Sequence, residues 1–349
     1  MKRLVILQTL ISSSTRCSSS KNYKFGTKQA YPLIDNISPL SKYLTNSSTV
    51  HAIFRHGYRF PKTSHMNRFQ EAFPAHKFRW DKINDSMKLT KLGWQEHNRN
   101  GVIYKNFAGK AVIKSSHKSR SQDSARAFIQ GTDLNLHYSI NNRECRFWEE
   151  CEAYETQSEM INKDKEIKKF RENFGISDQE EEGYMICAYE LAIYGSSDFC
   201  EMIKRDLSYL SDLKHYYKTG FASKLNYAVT RPLLLAILDS IKTEQNMFWF
   251  GHAETTLPLI AALGLVKRNP PLSGDFIPDV YEWDTTKLAP MAANVVFIVD
   301  HERGGVVVAI NEVVYKKFNS KSEFFTWFQR AIVDENELEN MCKLPKSEL

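Results

Sequence analysis

Apolar positions along the chain fall alternately into short unbroken runs and into stripes of helical period. Val50 to Phe54 is a compact run of the kind that forms a buried strand, with His56-Gly57 at its end. Leu89-Thr90-Lys91-Leu92-Gly93 opens a helix, with Thr90 as its cap and Leu92, Val102, Ile103 and Phe107 on its apolar side. A second strand from Ala111 to Lys114 and a helix from about Ser121 to Asn135 follow. The same alternation returns late in the chain. A helix near Arg231 to Lys242, a strand at Met247 to Phe250, a helix from Thr256 to Leu263, and strands near Asn294 to Val299 and Val306 to Ile310 are predicted there. Strands alternating with helices predict an α/β fold with a largely parallel central sheet flanked by helices. From about Asn141 to Phe221 the strand signal disappears and charged, helix-favouring residues take over. We read 141–221 as a smaller helical insertion subdomain set between two core segments, 18–140 and 222–349.

With 42% hydrophobic and 25% charged residues, the chain has the composition of a soluble globular protein. Its formal net charge of +6 favours anionic ligands. No run of five or six basic residues and no aromatic-basic signature point to nucleic acid, and no apolar stretch is long enough for a membrane span. Lys2 and Arg3 before an apolar stretch from Leu4 to Ile11 and three serines have the order of a signal peptide, placed at residues 1–17. The final Lys346-Ser347-Glu348-Leu349 differs in one position from the tetrapeptide read by the retention receptor of the endoplasmic reticulum. Together these predict a luminal or secreted protein. Of six cysteines, Cys187 and Cys200 are the nearest plausible partners, across a turn at Gly195. No spacing suits a structural zinc site. Asn46-Ser47-Ser48 and Asn84-Asp85-Ser86 are glycosylation sequons, and Asn36-Ile37-Ser38, followed by Pro39, is a poorer one.

The chemistry concentrates at two strand ends. Arg55-His56-Gly57-Tyr58-Arg59-Phe60-Pro61 fits R-H-G-x-R-x-P, whose five fixed positions would occur by chance in a chain of this length about once in ten thousand. A neutral imidazole is a competent nucleophile toward phosphorus, and flanking guanidiniums hold phosphoryl oxygens bidentately. Gly57 lets the backbone turn sharply toward an anion. Phe248 to Gly251 is a second buried run, ending in His252 with Glu254 two residues on. Ligands of open α/β sheets bind at this carboxyl edge.

These residues resemble the signature of the histidine phosphatase superfamily, in its acid phosphatase and phytase branch. Many members carry His-Asp at the second strand end; His252-Ala253-Glu254 looks like the multiple inositol polyphosphate phosphatases. Tyr23 to Lys28, Lys114-Ser115-Ser116 leading to Arg120, Asp123 and Ser124, Cys187-Ala188-Tyr189-Glu190 with Cys200, and Ala293-Asn294 continue the likeness. The resemblance implies a phosphomonoester hydrolase acting on inositol polyphosphates through a phosphohistidine. His56 would be the nucleophile, with Arg55, Arg59, Arg120 and His252 on the phosphoryl oxygens; Arg126 competes with Arg120. Glu254 would protonate the leaving group and then serve as base, which requires either a raised pKa or work at acidic pH. No metal or cofactor is implied. Lys62 and Thr63 are candidates for neighbouring phosphates, with solvated turn residues as the alternative. Competing readings are a broad-specificity acid phosphatase, a bisphosphoglycerate phosphatase, or a luminal binding protein without turnover.

Overall fold

The computed structural model describes residues 23–32, 38–203 and 206–343. The leader at 1–17, the sequon at Asn36 and the tetrapeptide at 346–349 lie outside the described residues. Seven strands, β1 (Ser48–Arg55), β2 (Val112–Ser115), β3 (Ser139–Ile140), β4 (Met247–Gly251), β5 (Asn294–Asp300), β6 (Val306–Ile310) and β7 (Val313–Phe318), form one sheet. Their order is β3-β2-β4-β1-β5-β6-β7.

The sheet is mixed. β3, β2, β4 and β1 pair in parallel, because helical crossovers carry the chain from the end of one to the start of the next. From β1 through β5 and β6 to β7 every pairing is antiparallel. The last of these turns has only Asn311 and Glu312 between the paired Ile310 and Val313, both at positive φ, the left-handed geometry that suits a two-residue hairpin.

All eight residues of β1 are buried, as a central strand requires, and successive side chains enter opposite layers. Val50, Ala52 and Phe54, with Phe248, Phe250, Val296 and Ile298 of the neighbouring strands, pack beneath the helices Lys91–Ala108 and Ser119–Thr132. Ile53, Trp249, Val295 and Phe297 face the larger layer, built from the helical region and the helices Arg231–Lys242, Ala253–Ala262 and Lys321–Gln329. The first pair of helices approaches closely because Gly101 and Gly131 stand at the crossing: a Cβ on either would lie 2.0 Å from a backbone oxygen of the other helix.

Between 141 and 221 the described residues hold helices and turns with no strand, including Glu152–Glu159, Lys165–Asn173, Asp178–Tyr194 and Asp206–Thr219. The helix Asp178–Tyr194 ends at Gly195 in left-handed geometry, and the chain turns there to bring Cys200 into a disulfide with Cys187. A second disulfide, Cys151–Cys342, ties the start of the helix Glu152–Glu159 to the helix Glu335–Cys342, 191 residues on, and Cys145 is a buried free thiol. Among the described residues no helix is long and apolar enough to cross a membrane.

Phe54 is fully buried against Phe128, Phe248 and Phe250. Phe54→Ala is expected to cost about 3–5 kcal/mol of unfolding free energy, read as a lower urea midpoint at unchanged slope.

Candidate active site

β1 and β4 are neighbours in register, with Arg55 opposite Gly251, so the residues that follow them arrive side by side. The His56 amide donates to the Gly251 carbonyl at 2.9 Å, and the Ser116 amide, just beyond β2, donates to the Phe250 carbonyl at 3.0 Å. Three strand ends are thereby stitched into one edge. The imidazoles of His56 and His252 lie 5.5 Å apart between centroids and are tilted by 68°, both almost wholly buried.

The loop at His56 is held from below by the helix Lys91–Ala108. Glu96 accepts from the Tyr58 amide at 2.7 Å and from the Tyr31 amide at 3.1 Å, while His97 Nε2–H donates to the Arg55 carbonyl at 3.0 Å. Burial pushes the Glu96 carboxyl up to about 7 even with the two amides favouring its ionised form. A Cβ on Gly57 would meet the Gly93 carbonyl oxygen at 2.4 Å, and one on Gly93 would meet the Tyr58 carbonyl oxygen at 2.2 Å. Two glycines let loop and helix touch backbone to backbone.

His56 Nδ1 lies 2.9 Å from the Gly57 carbonyl, a contact that only an N–H can make favourably. Nδ1 therefore carries the proton and Nε2 keeps its lone pair. Burial first, then the charges of Arg120, Arg55 and Arg59, hold the His56 pKa well below the usual imidazole value, so the ring is neutral. Burial, Arg120 and Arg146 do the same to His252. Its Nδ1 faces Arg120 at 3.1 Å, and its Nε2 faces the Ser116 hydroxyl at 2.9 Å and Arg146 at 3.1 Å. A neutral imidazole has one acceptor nitrogen, so it cannot accept from a guanidinium on both sides. Arg146 is kept in place by Glu149 at 2.5 Å and by the face of Trp148.

Arg55 anchors the N-terminal arm: its guanidinium donates to the Thr27 carbonyl at 2.6 Å and the Ala289 carbonyl at 2.5 Å. Arg59 donates to the Phe60 carbonyl at 2.7 Å. The Nε–H groups of Arg55, Arg59, Arg120 and Arg146 are buried without a hydrogen-bond partner. Unsatisfied buried guanidinium donors are costly, and a tetrahedral oxyanion supplies the acceptors they lack. Arg126 is exposed and paired with Asp123 at 2.5 Å, on the outer side of the helix whose first turn carries Arg120.

Arg59, Arg120 and Glu254 open onto a cavity of about 430 Å³ whose lining holds seven Lys and Arg side chains against two carboxylates. Lys62 lines it, whereas Thr63 does not: it is exposed, and its hydroxyl and amide both donate to Ser86 Oγ, at 2.9 and 3.0 Å. Lys28 also lines the cavity; burial, then the charges of Arg55 and Arg59, lower its amine to about 7. Burial tends to raise the Glu254 pKa, but Lys218 at 2.9 Å outweighs it, and the carboxyl is held well below the usual range. Of the two conditions for a donor at this position, the raised pKa is thus not met in the free protein. Among the described residues no group of three or more His, Cys, Asp and Glu side chains could hold a metal ion.

Lys28, Arg146, Lys218 and His215 carry no role in the sequence reading. The last two had a legible signal: Leu207, Leu210, Ser211, Lys214, His215 and Lys218 recur at helical spacing, and all six line the cavity. Arg146 had none, since it belongs to a short turn between one-turn helices.

Gly57→Ala is expected to cost about 1–3 kcal/mol of stability by forcing the loop off the helix, together with loss of phosphate affinity; phosphate binding by calorimetry beside thermal unfolding checks both.

The profile of the histidine phosphatase superfamily (branch 2) matches residues 146–299. Multiple inositol polyphosphate phosphatase 1 of Gallus gallus is 26% identical over 293 residues, which cover 67% of this chain and 65% of that protein. The Homo sapiens protein of the same name is 26% identical over 247 residues, covering 55% and 51%. The chain thus spans about half to two thirds of these relatives. Among solved structures, the phytase from D. castellii superposes with a TM-score of 0.70 at 16% identity, covering 87% of this chain and 84% of that one. Bifidobacterium longum multiple inositol polyphosphate phosphatase gives 0.58 at 16% identity, covering 83% and 92%. The matched stretch contains His252 and Glu254, the R-H-G-x-R-x-P loop lies outside it, and the fold brings the two together: residues 146–299 match the histidine phosphatase superfamily, branch 2.

Proposed function

We propose that the protein is a phosphomonoester hydrolase that removes phosphates from inositol polyphosphates through a phosphohistidine. The observation that carries this reading is the pair of buried, neutral imidazoles 5.5 Å apart, joined through Arg120 to a cavity lined by cations. His56 Nε2 attacks phosphorus, and the bond from phosphorus to the leaving oxygen breaks. Arg55, Arg59, Arg120 and His252 neutralise the charge that spreads over the equatorial oxygens. Glu254, as the acid, gives its proton to the departing alkoxide. As the carboxylate, it then takes a proton from the water that displaces His56 from phosphorus. The cluster of lysines and arginines over this pocket favours a small, densely anionic substrate over a simple monoester. Two disulfides fit an oxidising compartment, and we infer a luminal or secreted location, with the C-terminal tetrapeptide as the address for a retention receptor.

Phytate offered to the purified protein is expected to release phosphate, and His56→Ala to abolish both release and acid-quenched phosphoenzyme; a variant that still traps phosphoenzyme would overturn the nucleophile. Glu254→Gln is expected to keep phosphate binding while lowering kcat for alcohol leaving groups by about 10²–10⁴. The pH dependence follows from the depressed pKa values. Neutral His56 persists as pH falls below 6.5, whereas the acid form of Glu254 is lost as pH rises through its lowered value. For an alkyl monophosphate, kcat/KM is expected to be highest at acidic pH and to fall by about tenfold per unit above the governing pKa.

A further inference from the structure

Lys218 Nζ donates to Glu254 Oε1 at 2.9 Å, and both side chains line the cavity with about a quarter of their surface open, 23% and 28%. The pair joins two helices, Asp206–Thr219 and Ala253–Ala262. One turn earlier on the first helix, Lys214 is bound by Glu181. The ammonium of Lys218 therefore rests on the carboxylate that must become the acid, in the lining of a cavity rich in cations.

A phosphoryl group over His56 is met by the guanidiniums and His252, which leaves Lys218 where it is. A second phosphate on the same substrate extends into the cavity and offers the ammonium a dianion in place of a monoanion. We propose that Lys218 is a positioning residue that keeps Glu254 ionised until a neighbouring phosphate draws the ammonium away, so that the proton donor forms only on a polyphosphorylated substrate. This deepens the reading above and rests on it. Losing the cation and gaining the phosphate's negative charge both favour the protonated carboxyl, and the proton comes from solvent. Discrimination then appears in kcat as well as in KM, because the second phosphate helps to make the reacting group.

The other charges around Glu254 do not replace Lys218. His215 shares its helix and, lowered by burial to about 3, is neutral. His252 is neutral as well. Arg55 and Arg120 act from the sheet edge, Lys28 from the N-terminal arm and Lys62 from the loop after Pro61. Tyr154 is held neutral by burial and by Glu254 itself. Among the described residues, Lys218 alone is bonded to the carboxylate.

The test is a titration of the Glu254 carboxyl by ¹³C NMR in the full chain, with the resonance assigned by its loss in Glu254→Gln. Binding of myo-inositol hexakissulfate, which cannot be hydrolysed here, is expected to raise its pKa by at least one unit, and inorganic sulfate by much less. Lys218→Met is expected to show the raised value without ligand, and Lys218→Arg to titrate like the parent. Equal responses to the two sulfates, or a parent-like Lys218→Met, would overturn the proposal; the parent's response decides it if Lys218→Met does not fold. In turnover, the kcat ratio of phytate to glycerol phosphate is expected to fall at least tenfold in Lys218→Met, with the basic limb for glycerol phosphate moved upward. A proportional fall with both substrates and an unmoved limb would also count against it. Absence of any phosphatase activity in the parent would defeat the hydrolase reading alone, since the titration does not depend on turnover.

Discussion

Everything in this molecule depends on gathering positive charge where water cannot shield it. Four guanidiniums and two imidazoles converge at one sheet edge, with four guanidinium Nε–H groups buried and unbonded. Each cation raises the cost of protonating the imidazoles, which is why His56 stays neutral in a place where a solvent-exposed histidine would charge below pH 6.5. Repulsion of this kind would scatter flexible side chains. The scaffold answers with backbone carbonyls on Arg55 and Arg59, a buried carboxylate under the loop, and a helix seated on that loop through paired glycines.

The same constraint explains the place of the site in the sheet. β1 is the strand where parallel pairing gives way to antiparallel, so its carboxyl end is flanked by the end of β4 on one side and the start of β5 on the other. Strands of one direction deliver His56, Ser116 and His252 together, and the reversed strand leaves room for the arm that holds Arg55. Both disulfides lie among the helices, and the residue after Cys187 accepts from the Tyr58 hydroxyl through its carbonyl at 2.7 Å.

Much of this was legible in the residues. The run from Val50 to Phe54, the Thr90 cap and the helix Arg231–Lys242 stand where hydrophobic period and capping chemistry put them, because these elements are buried on one face or two and carry strong local signals. β7 was not foreseen: Val313 and Tyr315 are exposed on an edge strand, and alternation with lysines reads as a surface segment. Nor was the Cys151–Cys342 bond, since chain separation says nothing of proximity in space. The motif residues could be named because their types and spacing are specific. Arg146 and Lys28 act through tertiary placement alone, and no periodicity marks them.

The hold of the Thr27 carbonyl on Arg55 ties the short arm at 26–28, itself buried at Gly26 and Thr27, to the sheet edge. Removal of the chain through Thr27 would leave that guanidinium with the Ala289 carbonyl as its remaining backbone acceptor. Such trimming would loosen a side chain at the strand end without touching the sheet pairing or either cystine. The arm is in this sense an outer brace of the sheet edge, set in place through one backbone carbonyl.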